Sequence, residues 1–245
     1  MKALVLAAGR GKRLGGHTES RNKCMTLVNG VPAVEFSLRN AVLAGVDEIV
    51  IVVGYRAGDI INHFGTGYDG TRVKYVIQAD QRGLVHAIEC AREMIDGDDF
   101  MLLLGDEILI NPKHHEMVAA YKRRGDFITC GLVEVDNRDL IKKTYTIIQD
   151  GENAIFRLVE KPRQPLNNFM GTGDCVFSNA VFGYIEETPV NPQRGEKEMT
   201  DLIQCAIDDG MPVRSFIIAD RYANINTGDD LEQALSLLKN GAGPL

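Results

Sequence analysis

Apolar positions in this chain fall into two alternating rhythms. An unbroken apolar run at 3–8 and apolar-rich stretches at 48–54, 73–77, 100–104 and 127–135 have the length of buried strands. Between them, apolar residues recur every three or four positions over 33–43, 57–64, 83–94 and 115–124, as helices with one buried stripe would require. Strands alternating with helices through residue 135 predict an α/β fold, a three-layer α/β/α mostly parallel sheet. In such sheets ligands gather beyond the carboxyl ends of the strands. Gly9, Gln78 and Asp106 all fall at or just past such ends.

The second half changes rhythm. Residues 144–148 and 154–160 flank Asp150-Gly151-Glu152-Asn153, a hairpin signal, and predict a small antiparallel extension. Residues 176–182 read as a strand or a strand followed by a turn, 198–209 as a helix and 213–218 as a strand. Residues 229–239 form a last amphipathic helix with Asp229, Asp230 and Glu232 in its first turn, where acids favour the helix dipole. The tail 241–245 reads as frayed.

Composition narrows the function without naming it. A chain of 245 residues with 44% hydrophobic and 25% charged residues can bury a sizeable core. Its formal charge of −7 argues against general nucleic-acid binding, yet a local basic loop would suffice for one triphosphate. The first apolar run is too short to span a membrane and is followed by no cleavage pattern, so a cytoplasmic location is expected. Cys24, Cys90, Cys130, Cys175 and Cys205 are scattered and odd in number, which reads as reduced structural thiols.

The candidate chemistry starts where the first run ends, at Gly9-Arg10-Gly11-Lys12-Arg13. Two glycines and three cations in one turn suit a polyphosphate. The dinucleotide pattern fails because its third glycine is Leu14, and the ATPase phosphate loop is absent. A plain strand-to-helix turn remains the alternative on spacing alone. Asp106 reads either as a strand-end cap or as a magnesium ligand, whose oxygen partners would come from Asn224-Ile225-Asn226. Gln78 offers a donor and an acceptor to a base edge. Lys161 projects beside Glu160 and Pro162, and His114-His115 lacks the acid spacing of a metal site.

In their order along the chain these motifs resemble the sugar nucleotidyltransferases, and in particular the glucose-1-phosphate thymidylyl- and uridylyltransferase group. The resemblance rests on the Leu6 to Leu14 loop, Lys23, the 45–55 strand, Gln78 with Gly83-Leu84 and Leu104-Gly105-Asp106. It continues through Glu160-Lys161-Pro162, Thr172-Gly173, the 194–201 stretch and the 224–231 stretch. It implies one nucleotidyltransferase domain over 1–245, with a nucleotide-binding half (1–135), an acceptor-phosphate half (136–245) and no C-terminal β-helix. A nucleoside triphosphate, UTP or dTTP by preference, would be joined to a sugar 1-phosphate or related phosphorylated small molecule with Mg²⁺, releasing pyrophosphate.

Carried onto this chain, the resemblance makes Arg13, Lys23, Asp106 and Lys161 catalytic. Leu6, Ala8, Gly9, Gly11, Arg13, Gln78, Gly83, Leu84 and Gly105 would bind the nucleotide. Tyr145, Glu160, Lys161, Thr172 and Gly173 would bind the acceptor, and Asp106 with Asn224 or Asn226 the metal. No nucleic acid or membrane partner is implied, and a homo-oligomer is compatible. Two departures matter: Asn22 replaces the usual proline before Lys23, and Tyr145 stands where the family has a close-approach glycine. The second points to an acceptor other than glucose 1-phosphate. A cytidylyltransferase for a phosphonate or choline-phosphate-like acceptor, and a non-catalytic nucleotide-sugar sensor, are the competing readings.

Overall fold

The computed structural model describes residues 1–11 and 22–240. In chain order the first half runs β1 (Lys2–Ala7), β2 (Leu27–Val28), β3 (Val31–Pro32), α1 (Ala33–Leu43), β4 (Glu48–Val53) and α2 (Ala57–Phe64). It continues with β5 (Gly67–Tyr68), β6 (Thr71–Ile77), α3 (Leu84–Cys90), α4 (Arg92–Ile95), β7 (Phe100–Leu104), β8 (Glu107–Ile110), α5 (His114–Arg124) and β9 (Ile128–Glu134). Then come the hairpin β10 (Tyr145–Gln149) and β11 (Ile155–Glu160), β12 (Phe169–Phe177), β13 (Val190–Asn191), β14 (Glu196–Lys197), α6 (Met199–Asp208), β15 (Val213–Ile217), β16 (Arg221–Asn224) and α7 (Gly228–Asn240).

These apolar stretches become the middle of one eight-stranded sheet, ordered β15-β9-β12-β7-β1-β4-β6-β5. Strand geometry sends alternate side chains to opposite faces, so a run buried throughout must be covered twice. Ala3, Val5 and Ala7 of β1 join Val34 and Leu38 of α1 and Met117 of α5 on one face. Leu4 and Leu6 join Val85 and Ile88 of α3 and Leu202 and Ile203 of α6 on the other. Each such side chain contributes about 1.5–3 kcal/mol on burial, so the doubly covered β1 is the anchor of the sheet. A third cluster seats Ala234 of α7 against Ile108, Ala223 and Ile225.

β1 pairs in parallel with β4 and with β7, and β4 with β6. Their carboxyl ends therefore share one edge of the sheet, where Gly9, Gln78 and Asp106 stand. Helices 33–43 and 57–64 form as expected. The expected 83–94 helix is instead two, α3 and α4, meeting at Ala91.

Two of the arrangements that were not expected shape the site. β12 is a nine-residue strand running antiparallel between β7 and β9 in the heart of the sheet. Its glycines and aspartate carry no strand signal, because glycine and acids are depleted from strands. The register shifts between Gly171 and Cys175, so the polar stretch is a bulge that leaves the ladder and rejoins it. The 176–182 stretch, expected as a strand or a strand followed by a turn, supplies the last two residues of β12 and then a 3-10 turn at Asn179–Tyr184. The second surprise is a ribbon in which β16 runs antiparallel to β8, opposing Asn224 to Glu107.

Candidate active site

The β8–β16 ribbon brings the two ends of the expected metal site together. Ile225 donates its amide to the Asp106 carbonyl at 2.9 Å, which fixes the 224–226 segment beside the end of β7. Lys23 Nζ donates to Asp106 Oδ2 and, at 2.8 Å, to Asn226 Oδ1, so three residues from distant parts of the chain meet at one ammonium group. Asn224 Oδ1 is already used, accepting from Asn226 Nδ2 at 2.7 Å. The geometry thus separates the two asparagines: Asn226 turns its oxygen to the site and Asn224 orients it.

Lys23 stands in a 3-10 turn, Lys23–Met25, whose cap is Asn22. Asn22 is fully buried; its Oδ1 accepts from Cys24 N at 2.8 Å and its Nδ2 donates to Ala7 O at 3.2 Å and Tyr55 O at 2.7 Å. The residue that departs from the expected proline therefore ties the lysine turn to the ends of β1 and β4. A proline could make none of these side-chain bonds. Beside it the Cys24 thiol is pushed up to about 12, first by burial and then by the Asp106 carboxylate, which leaves it inert as a nucleophile.

Asp106 is followed by an acid that the sequence reading passed over. Glu107 is buried and accepts the Gly173 amide with both carboxylate oxygens, at 2.9 and 3.1 Å, and the Tyr222 hydroxyl at 2.6 Å. Burial, and then the charge of Asp174, push its carboxyl well above the usual range, against the pull of those donors. Asp174 in turn holds His114 Nε2 at 2.7 Å, both side chains being buried. His114 is thus a structural clamp on the β12 bulge. Among the described residues no group of three or more His, Cys, Asp or Glu could hold a metal ion. The signal for Glu107 was its place next to Asp106; its partners Gly173 and Tyr222 are too remote in sequence to be read.

Two cavities are lined by candidate site residues. One, of about 550 Å³, is lined by Tyr145, Glu160, Lys161, Arg194, Asn226 and Asp230 among others. Lys161 Nζ stands 3.2 Å from Glu160 Oε1, and Arg194 donates to Glu198 Oε1 at 2.7 Å, so its rim alternates cations and acids. Burial raises the Glu160 carboxyl, with Lys161 opposing. Thr172 and Gly173 line this cavity too, yet the Thr172 hydroxyl donates to Gly131 O at 3.0 Å and the Gly173 amide serves Glu107. Leu84, expected at the nucleotide, lines this cavity as well. Tyr145 forms its floor: a Cβ on Gly171 would lie 2.1 Å from the tyrosine ring, so the glycine is what admits the ring.

The other cavity, of about 600 Å³, lies beyond β1, β4 and β6, between Arg10, Tyr55, Gln78, Gln81 and Arg82. The Arg10 guanidinium lies 5.1 Å over the Tyr55 ring. Gly9 is exposed and Gly11 has φ +63°, while the Leu6 carbonyl accepts from Gly105 N at 2.9 Å and the Ala8 carbonyl from Gln81 Nε2 at 2.8 Å. Arg13 lies outside the described residues, and so does the tail 241–245.

With this geometry in hand, residues 2–240 match the family model described as nucleotidyl transferase. The chain belongs to the nucleotidyl transferase family. The UTP–glucose-1-phosphate uridylyltransferase AglF of Haloferax volcanii is 33% identical over 236 residues, covering 96% of this chain and 95% of that protein. The low-salt glycan biosynthesis nucleotidyltransferase Agl11 of the same organism is 32% identical over 243 residues, covering 97% of this chain; the chain spans 66% of that relative's length. A solved structure of a putative glucose-1-phosphate thymidylyltransferase from Bacillus anthracis superposes with a TM-score of 0.88 at 23% identity, covering 100% of this chain and 98% of that one. This nucleotidyl transferase has the mostly parallel sheet and the antiparallel extension expected of it. The reaction class implied by the resemblance agrees with these relatives, and the cytidylyltransferase and sensor readings are not favoured.

Proposed function

We propose that this nucleotidyl transferase joins UTP or dTTP to a sugar 1-phosphate, releasing pyrophosphate by direct in-line attack. The observation that carries this reading is the meeting of Lys23, Asp106 and Asn226 at the edge of the sheet, with Asn226 also lining the cavity of Glu160 and Lys161. The attacking phosphate oxygen is already anionic, so no general base is required, and what the protein must supply is position and charge compensation.

The cavity at Gln78 and Gly83 would take the base, and the Gly9 to Arg13 loop the phosphates. Lys23 would turn from Asp106 to the phosphates at the reacting centre. Lys161 would hold the acceptor phosphate, helped by Arg194, with Glu160 on the sugar. Asp106 and Asn226 offer only oxygen donors and already hold a cationic ammonium between them, a donor set that suits Mg²⁺. When bound there, Mg²⁺ would neutralise phosphate charge. Tyr145 over Gly171 replaces open space with a ring on the acceptor floor, which favours a sugar phosphate other than glucose 1-phosphate.

Pyrophosphate release with a panel of triphosphates and sugar 1-phosphates tests the reading directly. UTP or dTTP should be turned over, and Lys23→Ala or Asp106→Ala should lower kcat by roughly 10²-fold or more with the fold intact. Unchanged turnover in either variant would sink the assignment. Glucose 1-phosphate as the best acceptor would overturn the Tyr145 argument alone.

A further inference from the structure

We propose that His86 is a positioning residue that decides which base this enzyme accepts, by fixing the direction of the Gln78 amide. The inference rests on the nucleotide reading above and names a residue that acts through Gln78 rather than on substrate. Gln78 follows β6 and is 4% exposed, with its backbone amide tied to Val53 O at 2.8 Å. Its side-chain Nε2 has two partners, Gly83 O at 3.0 Å and His86 Nδ1 at 3.0 Å. Among the described residues its Oε1 has no hydrogen-bond partner, which leaves it for the cavity that Gln78 lines.

A carboxamide can be turned end for end at little cost in shape, so its direction must be set by neighbours. The Gly83 carbonyl can only accept, which favours Nε2 on that side. His86 can be either donor or acceptor, and its other nitrogen, Nε2, lies 2.7 Å from Arg82 Nη2, which can only donate, and 3.7 Å from Cys90 Sγ, which can also accept. Gln78 and Arg82 thus present donors to both nitrogens of one ring. A neutral imidazole has a single acceptor nitrogen, so it can satisfy one of them.

With the ring proton on Nε2, Nδ1 accepts from Gln78 and the amide oxygen faces the base. That oxygen matches the N3–H of uracil or thymine and opposes the bare N3 of cytosine. With the proton on Nδ1, the ring serves Arg82 instead and drives Gln78 to present its nitrogen, which suits cytosine. Arg82 is exposed and can swing to solvent, whereas Gln78 is buried and tied on two sides, so the first tautomer prevails. His86 is held for this role on α3, whose Val85, Ala87 and Ile88 pack into the core. Discrimination of this kind is steep because the wrong base leaves a buried polar group unpaired.

Calorimetric binding of UTP and CTP with Mg²⁺, without any acceptor, measures the effect. Wild type should prefer UTP, His86→Leu should shrink the UTP-to-CTP ratio by about tenfold, and His86→Asn, whose Oδ1 stands in for Nδ1, should retain it. An undiminished ratio in His86→Leu overturns the inference and leaves the nucleotidyltransferase reading intact. Wild type that binds neither nucleotide overturns both. A second measurement needs no variant: the ring ¹⁵N spectrum of UTP-bound wild type should show Nε2 protonated and Nδ1 bare. The opposite tautomer refutes the proposal even where His86→Leu fails to fold.

Discussion

Asn226 and Asn224 are two residues apart and chemically identical, yet the chain gives them different work. Only Asn226 turns an oxygen to Lys23, while Asn224 accepts from the Asn226 amide and has its own Nδ2 against the Tyr222 hydroxyl at 3.3 Å. Asn226→Ala should therefore raise the Mg²⁺ concentration for half-maximal rate by roughly 10- to 100-fold, and Asn224→Ala by less. A metal titration of pyrophosphate release in both variants checks the ranking, and the reverse order would return Asn224 to the metal. At this scale the sequence was legible where a side chain acts alone. The fold brings Lys23 to Asp106 and sets Lys161 on the wall of a cavity. Glu107, Asn22 and His86 were not legible, because their roles depend on partners brought in by the fold.

Between elements, the β12 bulge and the hairpin beside it shape the cavity at Tyr145 as a matched pair. Tyr145 opens β10 and lies against Gly171 of β12, where a methyl group would overlap the ring. Gly171→Ala should cost about 1–3 kcal/mol in urea unfolding, because a packed ring has no room to yield. Tyr145→Ala in the same chain should recover most of that loss, since residues in contact are not additive. A double variant as unstable as the sum of the two would refute the pairing. The alternating apolar rhythm made the parallel strands and their helices legible from residue 3 to 135. It failed for β12, whose strand is held by neighbours on both sides rather than by its own composition, and for the β8–β16 ribbon, whose two strands lie more than a hundred residues apart in sequence.

Over the whole molecule, stability should carry the signature of the cavity that Glu160 lines. Burial lifts the Glu160 carboxyl above its ordinary 4.5, so the folded chain holds that proton more tightly than the unfolded chain does. This contribution is fully present below 4.5 and is lost as the pH rises through the lifted value. Glu160→Gln, which cannot titrate, should show a shallower fall in stability across that window than wild type. Thermal unfolding of both proteins between pH 4 and 8 measures the difference, and identical slopes would mean that Glu160 titrates as it does in water. Among the described residues no helix is long and apolar enough to cross a membrane.

The pairing of Lys23 with Asp106 has a last consequence, for what may enter. The ammonium and the carboxylate cancel one another, so the resting site asks for no extra charge of either sign. A divalent ion arriving alone would meet a lysine already seated among its oxygens and would have to evict it into repulsion. An ion escorted by polyphosphate brings the lysine a new anionic partner, and the exchange conserves charge on both sides. On the proposed reading the site would be an ion exchanger keyed to the complex of metal and nucleotide, with the lysine as the counterion that keeps the seat until both arrive.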